Sequence, residues 1–189
     1  MGTYAASDCV TPMNPNTRPL PTHAREALRA AVAGLDAAEA AAEPARLSQA
    51  LADVSRCHRE LGGLAEADWY ARRGLSVARG LGAADASVDA LCGLAELSLE
   101  RADRLDGNDE GRGARRLRDA ARDHAFEATR LARHAADPQW EVTVLLRVSD
   151  LFDRLGDHED AIALQCRALS LITGADPAAS VEEAAVLAS

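Results

Sequence analysis

The sequence predicts an all-α chain built of antiparallel helix pairs, and three observations carry that expectation. The first is composition. Of 189 residues, 48% are apolar but only 3% aromatic. The apolar stock is mostly Ala, Leu and Val. Ala and Leu are strong helix formers, and the aromatic and β-branched runs that strands favour are scarce. The second is a repeated phrase. "ELGGLAEADWYARRGLSVA" at 60–78 returns as "RLGDHEDAIALQCRALSLI" at 154–172, an offset of 94 residues. Leu51, Val54, Ser55, Leu61, Gly62, Ala67, Arg73, Leu75 and Ser76 each meet an identical residue 94 positions later, without a gap. The third is period. Leu51, Val54, Ser55 and His58 fall at i, i+3, i+4 and i+7, one face of a helix.

The elements follow in order. Residues 1–21 are rich in Pro, Asn and Thr and read as a disordered or extended arm. They lack a basic start followed by an apolar run, so no secretory leader is expected. Subtracting 40 from Ala67, Gly74 and Leu75 gives Ala27, Gly34 and Leu35. Residues 22–43 therefore read as a lone second helix, with Thr22 as N-cap and Pro44 as stop. Within 45–84, Gly62 closes the first helix in the left-handed conformation that suits a residue without Cβ. The second helix carries Ala67 and Gly74, small enough to let two backbones approach.

The middle pair, 85–138, has Leu91, Leu94, Ala95 and Ser98 on its first helix and Ala121 and Ala128 on its second. The 94-residue offset exceeds two 40-residue periods by 14 residues. That excess is expected as an enlarged turn at 103–115, with a mobile polar loop over Asp106 to Gly113. The third pair occupies 139–176. Ser180 and Glu183 form a capping box opening a fragment at 179–189. The repeat domain as a whole is expected over 22–189.

The pattern small–large–Gly–x(4)–Ala–x(6)–small, clearest at Leu145, Val148, Ser149, Phe152, Gly156, Ala161 and Ala168, resembles the tetratricopeptide repeat. Its period is longer than the common unit of about 34 residues and is similar to extended repeats of kinesin light chains and bacterial peptide-sensing regulators. The resemblance implies a right-handed α-α superhelix whose first helices line a concave face. It also implies a non-enzymatic protein- or peptide-binding adaptor. The alternatives are a peptide-sensing regulatory module and a secretion-type chaperone.

By that family's spacing, the groove would present Gln49, Ala52, Arg56 and Arg59 from the first unit. The second would present Asp89, Cys92, Glu96 and Leu99. The third would present Thr143, Leu146, Asp150 and Asp153, with Arg147 and Arg154 beside them. The Lys and Asn residues that clamp a peptide carboxylate in chaperone-binding members are absent. The Arg and acid mixture fits a mixed-charge peptide.

Other chemistries are disfavoured. A net charge of −9, with every basic residue an Arg, argues against nucleic acid and anionic membrane. No apolar run approaches the 18 residues of a membrane span. Asp106, Asn108, Glu110 and Gly111 look like the start of a calcium loop, but Leu117 stands where a bidentate carboxylate is required. Cys9, Cys57, Cys92 and Cys166 show no metal or disulfide spacing and are expected as reduced thiols, mostly core filler, in a cytoplasmic protein. The five His form no metal site, and Ser55 and Ser149 are expected to pack rather than react. Neither a catalytic motif nor a cofactor motif is present. Of Trp69 and Tyr70, packing against the neighbouring half-unit at 22–43 is the favoured role. Apolar residues at both ends, Leu28, Val32 and Leu35 at one and Val181, Val186 and Leu187 at the other, raise the expectation of a weak homodimer.

Overall fold

A computed structural model describes residues 22–106, 111–134 and 137–174. Among these the chain forms seven helices and no strand: α1 (Thr22–Ala41), α2 (Pro44–Glu60), α3 (Leu64–Leu81), α4 (Ala84–Asp106), α5 (Gly111–Ala132), α6 (Pro138–Leu155) and α7 (His158–Thr173). No described helix is long and apolar enough to cross a membrane.

Local chemistry sets most helix ends. Pro44 is the opening residue of α2 rather than the stop of α1, as its fixed φ and missing N–H allow. α1 instead ends through Ala42, which takes a left-handed φ of 51° while the Glu43 amide donates back to the Ala38 carbonyl. Thr22 lies within the first turn of α1 rather than ahead of it. Asp137 caps α6, accepting from the Gln139 amide at 2.9 Å, with Pro138 behind it.

The turn after the first helix is the same in both copies of the phrase. Gly62 has φ 80° and Gly156 φ 83°, as expected. The Gly62 amide donates to Arg59 and the Gly63 amide to His58; the Gly156 amide donates to Asp153 and the Asp157 amide to Phe152. Each donor and acceptor in the second turn lies 94 residues beyond its counterpart.

Each helix packs on its sequence neighbours, and α2 also touches α4 while α4 also touches α6. No such contact joins α3 to α5 or α5 to α7. The first helices thus form one contiguous row. The core runs through that row and its flanks, from Leu64 and Leu75 through Leu91, Leu94 and Leu97 to Leu145, Val148 and Phe152. A smaller cluster joins Leu35 to Leu51 and Val54, with Leu28 and Tyr70 against it.

The extra length of the middle pair is not an enlarged turn. α4 continues to Asp106 and α5 is already helical at Gly111, so most of the insertion extends both helices. Residues 107–110 lie outside the described residues, and with them Asn108 and Glu110 of the candidate calcium loop, whose part from Gly111 to Leu117 is helical. The apolar N-terminal end differs from expectation as well. Leu35 is buried and Leu28 half-buried against α2, leaving Val32 at the surface. Residues Val181, Val186 and Leu187 lie outside the described residues.

Candidate partner-binding groove

The row of first helices has a depression between α2, α3 and α4, edged by α6. It is a cavity of about 190 Å³, open to solvent on one side. Its floor is made of residues too small to fill it: Ala52, Ala71, Gly74, Ala86, Ala90 and Gly93. The close approach of α2 and α3 explains Gly74. A Cβ there would lie 3.4 Å from the Cβ of Leu51. Ser48 and Ser55 satisfy their hydroxyls across the same seam. Ser55 Oγ donates to the Ala67 carbonyl at 2.8 Å and Ser48 Oγ to the Gly74 carbonyl at 3.5 Å. Neither is poised as a nucleophile. Ser149 likewise donates to the Leu146 carbonyl.

The rim is charged and ordered by Glu96. One Glu96 oxygen receives Arg59 from α2; the other receives Nη2 and Nε of Arg147 from α6 at 2.9 and 3.2 Å. Glu96 thus joins three first helices through a side chain only 17% exposed. Burial pushes its carboxyl upward, but hydrogen bonds and charge from Arg59 and Arg147 outweigh this and hold it below the ordinary carboxylate range. Arg147 Nη1 reaches Asp89 at 3.2 Å, and Arg59 Nε lies 3.8 Å from Glu100. On the opposite rim Gln49 and Arg56 both donate to Asp53.

Of the residues assigned to the groove from sequence, Gln49, Ala52, Arg56, Arg59, Asp89, Glu96 and Arg147 line this cavity. Leu99 does not: it is 2% exposed and belongs to the core. The reason is the central position of α4, which contacts α2, α3, α5 and α6 and keeps few faces free. Cys92 is buried for the same reason, and burial pushes its thiol up to about 11. Leu146, Asp150 and Arg154 are exposed along α6 but away from the cavity lining. Thr143 and Asp153 are likewise outside it; Asp153 meets His158 at 3.1 Å.

The part of the floor that α4 supplies is what sequence reasoning missed. Ala86, Ala90 and Gly93 recur at i, i+4 and i+7, a small-residue face on α4 that was legible. Trp69 and Tyr70 part ways. Tyr70 packs against the α1–α2 cluster and stacks on His58 at 5.4 Å. Trp69 stays 56% exposed, with the Arg73 guanidinium 5.6 Å from its ring. Of the described cysteines only Cys92 fills core; Cys57 is half-buried and Cys166 exposed. Among the described residues no group of three or more His, Cys, Asp or Glu could hold a metal ion.

No family model matches the chain, and no curated protein matches it. Among solved structures, a DHF58 filament is similar at 24% identity over 80% of each chain, with a TM-score of 0.40. A likeness at that level adds nothing to the architecture described above.

Proposed function

We propose that this chain is a non-enzymatic adaptor that binds a peptide or a protein segment in the groove of its first helices. The chain would then be a right-handed, tetratricopeptide-like superhelix with α2, α4 and α6 on its inner side. The observation that carries the reading is the contact pattern. First helices touch one another in a row and second helices do not, which is how a curved array gains an inner face. That face holds a concave, charged-rimmed depression, the common form of a recognition site. Cys92, which feels the charges of Arg147, Glu96 and Asp89, is buried and protonated at neutral pH, which supports recognition over nucleophilic chemistry.

Selection from a random peptide library on the immobilised full-length chain tests the reading. Selected peptides should slow backbone hydrogen exchange along α2, α4 and α6. Failure to enrich any peptide, or protection confined to α3, α5 and α7, would overturn it.

A further inference from the structure

Gly93 has no structural reason to be glycine. It sits inside α4, where glycine costs stability relative to alanine. A Cβ built there would meet nothing within 4 Å. A Cβ on Gly74 would already touch Leu51, whereas one on Gly93 would touch nothing. Gly34 and Gly80 also face open space, but both are exposed to bulk solvent. Gly93 is half-buried and opens into the cavity. The space it keeps has a definite size. A cavity of about 150 Å³ accommodates a benzene ring, and this one measures about 190 Å³.

The rim also carries cationic groups. Arg56, Arg59 and Arg147 line the cavity with Asp89 and Glu96, while Asp53 and Glu100 meet Arg56 and Arg59 at its edge. Two of these arginines can exchange their partners in water. Arg147 is anchored by Glu96 through Nε and Nη2, while its Nη1 contact is to Asp89, a side chain 65% exposed. Arg56 pairs with Asp53 at the surface, both more than a third exposed. An incoming carboxylate can replace either acid at little cost, because exposed pairs contribute little. The guanidinium of Arg147 is held in place by Glu96 while this occurs.

We propose that this cavity receives one leucine- to phenylalanine-sized side chain of a peptide, whose flanking residue places a carboxylate on Arg147 or Arg56. Glu96 is a positioning residue for that contact. The proposal rests on the peptide-binding reading above and makes it specific.

The probe is the N-acetylated, C-amidated pentapeptide Gly-Glu-Phe-Glu-Gly, which has no terminal carboxylate. Two controls carry Ala in place of Phe, or Lys in place of both Glu. Each is titrated into the full-length chain and followed by chemical-shift changes. The Phe–Glu peptide should shift groove residues of α2 and α4, and each control should bind at least about tenfold more weakly. Gly93→Leu should abolish binding while melting no lower than the wild type. Arg147→Gln should weaken the Glu peptide and leave the Lys peptide unchanged, an arm that does not depend on how Gly93→Leu folds. Equal binding of all three peptides in the groove overturns the proposal and leaves the peptide-binding reading standing. So does a library-selected peptide that binds Gly93→Leu as tightly as the wild type. If neither defined nor selected peptides perturb the groove, both fall.

Discussion

At the scale of single residues, identical repeat positions are not equivalent in energy. Arg73 and Arg167 occupy the same place in the two copies. Arg73 reaches back to Glu39 of α1 at 2.7 Å, whereas Arg167 holds the buried Glu141 of α6 through Nε and Nη2. The left-handed turn positions differ too. Gly156 can take its φ of 83° freely, and Gly156→Val should cost about 1 kcal/mol or more in backbone strain alone, since no atom lies within 4 Å. Ala42 holds φ 51° with a Cβ, so Ala42→Gly should raise stability by up to about 1 kcal/mol. Chemical denaturation of the two variants checks the opposite signs.

Glu96 gives a pH signature. Its carboxyl titrates below the ordinary value in the fold. The ionised form therefore stabilises the fold above the unfolded glutamate value of about 4.3, and that contribution is lost as pH falls through the lower folded value. Glu96→Gln removes the anion that Arg59 and Arg147 share, leaving each only its more exposed second carboxylate, and should cost about 2 kcal/mol near neutral pH. The gap in melting temperature between wild type and variant should narrow below about pH 4. A gap that stays constant with pH would contradict the assigned role.

At the scale of elements, the helix pairs were legible because their signals are local. Apolar spacing marks a helix face, and Gly62 and Gly156 mark the turns. Helix lengths in the middle pair were not legible. Asp, Asn and Gly around 106–111 are turn formers, and they pointed to a long loop. Yet buried Ala102 and Ala114 give the two helices something to pack beyond the usual turn position, and packing outweighs local propensity. The face of α4 was misread for a related reason. Period locates Leu91, Glu96 and Leu99 on the helix surface but not which neighbours cover them. Four contacting helices bury Leu99 and leave only the strip around Asp89, Gly93 and Glu96 toward the cavity.

The fate of Asp157 shows the same limit. It precedes α7 where an acid would cap, but its carboxylate takes the Arg122 guanidinium at 2.7 and 3.3 Å instead of a backbone amide. Nothing in the spacing of Arg122 and Asp157 announces that pairing across helices.

At the scale of the whole molecule, α7 differs from α3 in what lies against it. Leu75 is 6% exposed and Ala78 fully buried beside α4. Their counterparts 94 residues on, Leu169 and Ile172, are 60% and 62% exposed. With Ile162, also exposed, they form an apolar face on the last described helix. Self-association through this face is the expected behaviour at micromolar concentration, where light scattering should report a mass above the monomer. The double change Ile162→Glu with Leu169→Glu should return it to the monomer with little change in melting temperature. A wild type that is monomeric throughout would exclude this contact.

Where a ligand sits on the helix array is the decisive question. A library-selected peptide carrying a photoreactive group at its most apolar position, cross-linked to the full-length chain and mapped by mass spectrometry, tests this most directly. The expected attachment is to α2 between Ser48 and Arg59, to Ala71 or Gly74 of α3, to α4 between Ala86 and Leu97, or to Arg147 of α6, which together line the cavity. Attachment concentrated on Trp69, on α5 or on the exposed face of α7 would contradict the account.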